Sequence, residues 1–327
     1  MAQFDLPADE LATYRGSAVR PPDFDSFWDH TLAEARSHPM TVSFVRVDTG
    51  LPLLDTYDVT FPGWGGQPIK AWLALPAGQQ DPVPAVVEYV GYNGGRGLAH
   101  EVSFYALAGW AHLRMDSRGQ GTGWHSGWSA GETPDLGGDA GSACPGNLTR
   151  GILDPEGHYF RRLFTDAVRA VDAVRSHPLV RADRIAVTGA SQGGGIAVAV
   201  GGLVPDLAAV APDVPFLCDF RRATTLVDSD PYGEIVRYCR GHRDQVEQVF
   251  ATLDYLDGVN HAARGTAPSL WSAGLMDDVC PPSTVHAACN AWPAAKEIVD
   301  YPFNCHEGGG PFHEVRRLAF LHEILDA

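Results

Sequence analysis

Gly189-Ala190-Ser191-Gln192-Gly193 sets a serine between two glycines at the spacing G-x-S-x-G, after the apolar run Ile185-Ala186-Val187 and before the small residues Gly195 to Val200. A serine hydroxyl attacks a carbonyl carbon only when a base removes its proton and the oxygen stands clear of the fold. A sharp turn from strand to helix gives that clearance, and glycines on both sides of the serine relieve the clashes a Cβ would cause there. The helix N-terminus behind the serine presents unpaired N–H groups to developing negative charge. A glycine-rich turn that only packs a helix on a sheet is the competing reading. The flanking strand and helix favour the nucleophile.

A nucleophile of this type needs an acid and a histidine after it, in the order serine, acid, histidine. Of thirteen histidines, six follow Ser191: His242, His261, His286, His306, His313 and His322. His306 follows the apolar strand pattern Ile298-Val299-Asp300-Tyr301 and sits in Asn304-Cys305-His306-Glu307-Gly308-Gly309-Gly310, a loop able to bring an imidazole to the serine. His286, His313 and His322 fall in predicted helices and read as packing or surface residues. The acid is expected at the end of the preceding strand, where Leu270 to Met276 delivers Asp277-Asp278. One of the two orients the imidazole; spacing does not choose between them, and paired aspartates after a strand also serve as turn residues.

The oxyanion of an acyl-transfer intermediate needs two donors. The Gln192 N–H is one, and a second is expected from the glycine-rich loop Val90-Gly91-Tyr92-Asn93-Gly94-Gly95-Arg96-Gly97. A phosphate cradle is the alternative for that loop, weakened because the Lys-Ser/Thr ending of a P-loop is missing.

The elements that must position these residues read as α/β. A helix with Phe24, Phe27, Trp28, Leu32 and Ala35 on one face precedes β-rich runs at 41–47, 56–61, 69–75 and 85–90, an antiparallel entry into a sheet. From Ala85 the pattern becomes strand, loop, helix: strands at 111–115, 185–188, 208–211, 269–273 and 297–301, helices at 159–176, 195–204, 243–256, 284–291 and 312–325. This alternation predicts a mainly parallel sheet with helices on both faces and its chemistry at the carboxyl ends of the strands. Residues 1–327 read as a single domain with an N-terminal extension (about 1–40) and a small helical, cap-like insertion (about 213–264). The glycine-rich stretch 120–154 reads as a long surface excursion.

Composition excludes several classes. A net charge of −16 argues against nucleic-acid binding. No run approaches the roughly 18 apolar residues of a membrane helix. The N-terminus MAQFDLPADELATYRG carries early acids without an apolar core of the secretory kind, so a cytoplasmic protein is expected. The six cysteines form no C-x-x-C pair and are expected as free thiols.

The chain resembles the acetyl xylan esterase and cephalosporin C deacetylase family, carbohydrate esterase family seven. The likeness is carried by VGYNGGRG (90–97), RGQG (118–121), TRGILDP (149–155), YFRRLFTDAVRAV (159–171), GASQGGGIA (189–197), DVPFLCDFRRA (213–223), GLMDDVCPPSTV (274–285) and NCHEGGG (304–310). The resemblance implies an α/β-hydrolase fold without metal or cofactor. It also implies Ser191 as nucleophile, Asp277 as acid, His306 as base, and the Tyr92 and Gln192 amides as the oxyanion hole. It further implies a small acyl pocket favouring acetate, acetylated xylo-oligosaccharides or cephalosporin C as substrates, and a homohexamer. The segment 124–145 and Cys305 look individual to this chain. Another α/β-hydrolase activity, such as a prolyl-oligopeptidase-type peptidase, and a catalytically silent scaffold of the same fold are the alternative readings.

Overall fold

The computed structural model describes residues 2–122, 130–137 and 146–327. Among them nine strands form one sheet: β1 Ser43–Val47, β2 Leu54–Pro62, β3 Pro68–Pro76, β4 Val83–Tyr89, β5 Ala111–Met115, β6 Val180–Ala190, β7 Ala209–Asp213, β8 Ser269–Gly274 and β9 Lys296–Tyr301. Their spatial order is β1-β2-β3-β5-β4-β6-β7-β8-β9. The first three pair antiparallel, as does β3 with β5; from β5 through β4 to β9 every pairing is parallel. This is the antiparallel entry and parallel body expected from the run of strands followed by strand and helix alternation.

The helices are α1 Ala8–Leu11, α2 Phe24–Arg36, α3 Phe104–Leu107, α4 Tyr159–Arg175, α5 Gln192–Leu203, α6 Phe220–Leu226, α7 Tyr232–Gly241, α8 Val246–Leu253, α9 Gly258–Ala262, α10 Pro282–Ala291 and α11 Gly310–Leu325. Strand alternation divides the apolar side chains between two faces. Ala85, Val87, Leu113 and Val187 enter the main core with Trp28, Phe160, Phe164 and Ile196 of α2, α4 and α5. Val86 and Ala186 point the other way, into a smaller core with Tyr105 of α3 and Leu321 and Leu325 of α11. All twelve residues of α5 are buried, so the helix behind Ser191 is fixed on every side.

The stretch between β7 and β8 holds α6 to α9, richer in helix than the single 243–256 segment predicted. That segment is a 3₁₀ turn, Arg243–Gln245, followed by α8. The chain leaves α8 because the Asp257 carboxylate accepts the Asp219, Phe220 and Val259 N–H groups and starts α9 instead.

The 120–154 stretch is not all surface. Residues 123–129 and 138–145, which carry most of the segment that looked individual to this chain and Cys144, lie outside the described residues. Within the stretch Gln120, Thr133, Asn147, Leu148 and Thr149 are buried, as are Asp116, Ser117 and Arg118 just before it. Arg118 is fully enclosed and donates through Nε to Asp166 Oδ2 at 2.5 Å and through a terminal nitrogen to Asp166 Oδ1 at 2.7 Å. A second link runs to Gln67 Oε1 at 2.7 Å, and Asp166 also accepts the Trp64 N–H. This pair pins the loop after β5 to α4. Breaking one side leaves a buried charge without its partner. Arg118→Met is expected to lower the free energy of unfolding by about 3–5 kcal/mol, read from urea denaturation; a loss below about 1 kcal/mol would show that the pair does not hold the loop.

Candidate active site

Ser191 stands between β6 and α5 with φ 56° and ψ −118°, a left-handed backbone that costs a non-glycine residue about 1–3 kcal/mol. Three hydrogen bonds hold it there: its N–H donates to Asp213 O at the end of β7, and its carbonyl accepts the Phe216 and Gly195 N–H groups. The turn is possible because no side chain intervenes. A Cβ on Gly193 would meet Tyr89 O at 2.0 Å, and one on Gly189 would meet the Gly193 carbonyl carbon at 2.5 Å.

His306 and Asp277 reach the same place on loops that the backbone ties together. The loop after β8 donates Leu275 N–H to Tyr301 O and Met276 N–H to Asn304 O, so it is paired with the loop after β9. His306 Nδ1 lies 2.9 Å from Asp277 Oδ2. Asp277 is fully buried and its other oxygen accepts the Val279 and Cys280 N–H groups at 2.8 and 2.9 Å. Asp278 is half-buried and gives its carbonyl to the Ser229 hydroxyl. The structure therefore brings the first of the two aspartates to the imidazole. With Nδ1 engaged, Nε2 is the nitrogen left for the serine. His306 and Ser191 line one cavity of about 350 Å³, with Gly91 and Gly95 of the glycine-rich loop on its wall. A larger recess of about 960 Å³ lies at the β1–β2 turn, around Asp48, Leu51 and Asp55, and holds none of these groups.

The other post-serine histidines do structural work. His313 is buried, bonded to the Tyr301 hydroxyl and 3.0 Å from Asp213 Oδ1, while His286 bonds Asp300 at 2.9 Å. His261 is packed among Phe24, Trp28 and Phe164.

Neither the Tyr92 nor the Gln192 backbone N–H has an acceptor among the described residues. The Gln192 side chain has a use the sequence did not reveal: its Nε2 donates to Val90 O and Gly91 O, and its Oε1 accepts from Gln120. Gln120 Oε1 in turn accepts the Asn93 N–H at 2.7 Å. Two glutamines thus hold the glycine-rich loop against the start of α5. The Tyr92 ring packs edge-on against Phe216, and its hydroxyl donates to Glu234 Oε1 of α7 at 2.8 Å while accepting the Asn147 and Leu148 N–H groups. Glu234 Oε2 accepts the Leu148 N–H at 3.0 Å. Burial raises the Glu234 pKa to about 7 despite those hydrogen bonds.

Cys280 was also unforeseen. Its side chain is buried beside Asp277 and His306, and burial, reinforced by the Asp277 charge, pushes the thiol well above its ordinary pKa. It stays protonated and does not compete as a nucleophile. Asp277, Cys280 and His306 have donor atoms within 4.8 Å of one another, the one such grouping among the described residues that could converge on a metal ion. The Asp277–His306 bond already engages two of those three donors. Cys218, Cys280, Cys289 and Cys305 are free thiols.

A serine on a strained turn at the carboxyl edge of a mostly parallel sheet, met there by a histidine and an aspartate from later strand-end loops, defines an α/β-hydrolase. The chain matches the acetyl xylan esterase (AXE1) family over residues 1–324 and belongs to that family. It is similar to the solved acetyl xylan esterase from Paenibacillus sp. R4, at 39% identity and TM-score 0.92, covering 98% of this chain and 100% of that one. Acetyl xylan esterase 1 from Thermoanaerobacterium sp. JW/SL YS485 is 34% identical with TM-score 0.90, covering 98% and 99%. The curated acetyl esterase Axe7A of Xylanibacter ruminicola is 29% identical over 303 residues, 88% of this chain; the chain spans 63% of that relative's length.

Because Glu234 has a folded-state pKa above its ordinary 4.5, the stability it contributes is complete below that value and is lost as pH rises through about 7. Glu234→Gln, which does not ionise, is expected to gain in Tm relative to the wild type as pH rises from about 5 to about 8. A difference in Tm that stays constant across that range would place Glu234 among ordinary carboxylates.

Proposed function

We propose that the protein is a serine esterase that removes acetyl groups from acetylated xylo-oligosaccharides and related small acetyl esters, cephalosporin C among them. The observation that carries this reading is the 2.9 Å bond between His306 Nδ1 and the buried Asp277, on the wall of the cavity that also exposes Ser191.

His306 takes the Ser191 proton as Oγ attacks the acetyl carbonyl, and Asp277 stabilises the imidazolium that forms. The carbonyl oxygen becomes an oxyanion held by the Tyr92 and Gln192 N–H groups. Collapse breaks the bond to the alcohol, which leaves with the proton from His306, and the acetyl group remains on Ser191. Water attacks that ester with His306 again as base, releasing acetate and restoring the serine. The edge-to-face cluster of Tyr92, Phe216 and Tyr232 packs behind Ser191, joined to it through the Phe216 N–H, and in this reading it limits the acyl group to a short one. Helices α6 to α9 form the cap of one hydrolase domain in this reading, with α7 reaching the oxyanion loop through Glu234.

The large apolar side chains Phe303, Phe312 and Val315, between 68% and 87% exposed around the start of α11, support the homo-oligomer implied by family resemblance, a hexamer. Sedimentation is expected to give a mass several times that of one chain. A monomer at micromolar concentration would overturn the oligomer.

Ser191→Ala is expected to reduce p-nitrophenyl acetate turnover by about 10⁴-fold or more and to abolish labelling by a fluorophosphonate, with unchanged circular dichroism. Retained turnover or labelling would reject Ser191 as nucleophile. The base acts only as neutral imidazole, so the rate is expected to fall toward acid pH.

A further inference from the structure

The cavity that exposes Ser191 and His306 has one charged wall. β4 and β5 run side by side with Val86 opposite His112 and Glu88 opposite Arg114. Alternation sends Ala85, Val87, Leu113 and Met115 into the main core and leaves Glu88, His112 and Arg114 on the face toward α3 and α11. There Glu88 Oε2 takes both available donors, His112 Nε2 at 2.8 Å and Arg114 Nε at 2.7 Å. Glu88 Oε1 and the two terminal nitrogens of Arg114 have no protein partner among the described residues. Glu88 and Arg114 keep 25% and 20% of their side chains exposed, and both line the cavity that holds Ser191.

The charge state of this wall decides what it can recognise. Burial works against the Glu88 charge, but Arg114 and the bonds from His112 and Arg114 outweigh it and hold the carboxyl well below its usual range. Burial keeps His112 neutral despite Glu88. Carboxylate and guanidinium therefore cancel. An unpaired guanidinium would select an anionic leaving group. A neutralised one, beside a carboxylate oxygen with spare acceptor capacity, offers donors and an acceptor together, which is what hydroxyl groups satisfy. The polar surface continues: a second cavity of about 240 Å³ shares Glu88, Ala190 and His306 with the first and adds Ser272, Glu314 and Arg317.

We propose that Glu88 and Arg114 form the alcohol-side subsite, binding hydroxyl groups of a neutral, polyhydroxylated leaving group whose acetyl ester reaches Ser191. This inference rests on the esterase reading above and adds to it the residues that select the alcohol. The adjoining cavity gives room for a further sugar unit, which points to an oligosaccharide ester over a single acetylated ring.

The test compares acetylated xylotriose with p-nitrophenyl acetate, whose leaving group carries no hydroxyl beyond the one released. In both Glu88→Gln and Arg114→Gln, the ratio of kcat/KM for the sugar ester to that for the aryl ester is expected to fall about tenfold, mostly through KM, as for a lost hydrogen bond to bound substrate. In Glu88→Gln the Arg114 charge is no longer cancelled, so the corresponding ratio for cephalosporin C, an anionic acetyl ester, is expected to rise. Arg114→Gln leaves Glu88 bonded to His112 and carries the test should the other variant fail to fold. Ratios within twofold of the wild type in the folded variants would overturn the subsite and leave the esterase reading intact. A wild-type protein that cleaves p-nitrophenyl acetate but not acetylated xylotriose would overturn the sugar-ester reading itself, and the subsite with it.

Discussion

Everything at the site depends on how closely the start of α5 approaches the end of β4. Gly193 lies so near Tyr89 O that any side chain there would overlap it. That contact sets the height of the Ser191 turn above the sheet and brings the Val90–Gly97 loop within reach of the Gln192 side chain. The strained backbone of Ser191 survives because β7 supplies an acceptor and the chain after β7 supplies a donor. Strain of this kind persists where surrounding structure over-determines it, and a helix buried along all its twelve residues provides that surrounding. The turn is thus a property of three strands and one helix, although five residues identify it.

That difference explains what the sequence disclosed. The parallel strands carry short apolar runs, such as Ala85–Val87 in β4 and Ile185–Val187 in β6, and these runs made them legible. Ser191 and His306 could be read because each has a local context: a glycine-bounded turn, and a loop just past a strand. Asp277 and Asp278 have the same local context, so nothing short of tertiary structure or family likeness separates them; the separation is that one faces His306 and the other does not. Glu234 and Cys280 carry no local signal. Glu234 meets Tyr92 across 142 positions of sequence, and the helix that carries it is one of several short helices whose few turns give weak periodicity. The glycine-rich stretch 120–154 misled for a related reason. Low apolar content reads as surface, but Asn147 to Thr149 are buried, with Asn147 and Leu148 bonded to Tyr92, Glu234 and His158.

The loops around Ser191 are fastened mainly by hydrogen bonds and ion pairs. Arg96, almost fully buried, donates to Asp58 and to Ala71 O and lies over the Trp72 ring at 3.8 Å, which ties the glycine-rich loop to β2 and β3. Arg118 ties the next loop to α4, and Gln120 links both loops to Gln192. The loop's few long side chains, Tyr92 and Arg96, anchor it at two points, and between them its position comes from partners that bond the backbone. Buried ion pairs are a weak source of net stability. They do fix geometry, and fixed N–H donors are what an oxyanion site requires, since donors that must reorganise during reaction lose most of their advantage.

The same economy of charge separates the two sides of the serine. Toward α6 and α7 the surroundings are aromatic, and the nearby ionisable groups are biased toward neutrality: Cys280 remains a thiol and burial raises Glu234. Toward α3 and α11 the wall is charged but balanced, with Glu88 facing Arg114. A short acyl group loses little by entering the first environment, because it brings no hydrogen-bonding group besides its carbonyl, which the proposed oxyanion amides would take up. A polyol would leave its hydroxyls unpaired there at a cost of roughly 1–3 kcal/mol each, whereas the second environment can bond them. In the proposed reading, the strand alternation that divides the hydrophobic core into two faces also divides the substrate, giving an ester one orientation in which both of its halves are satisfied.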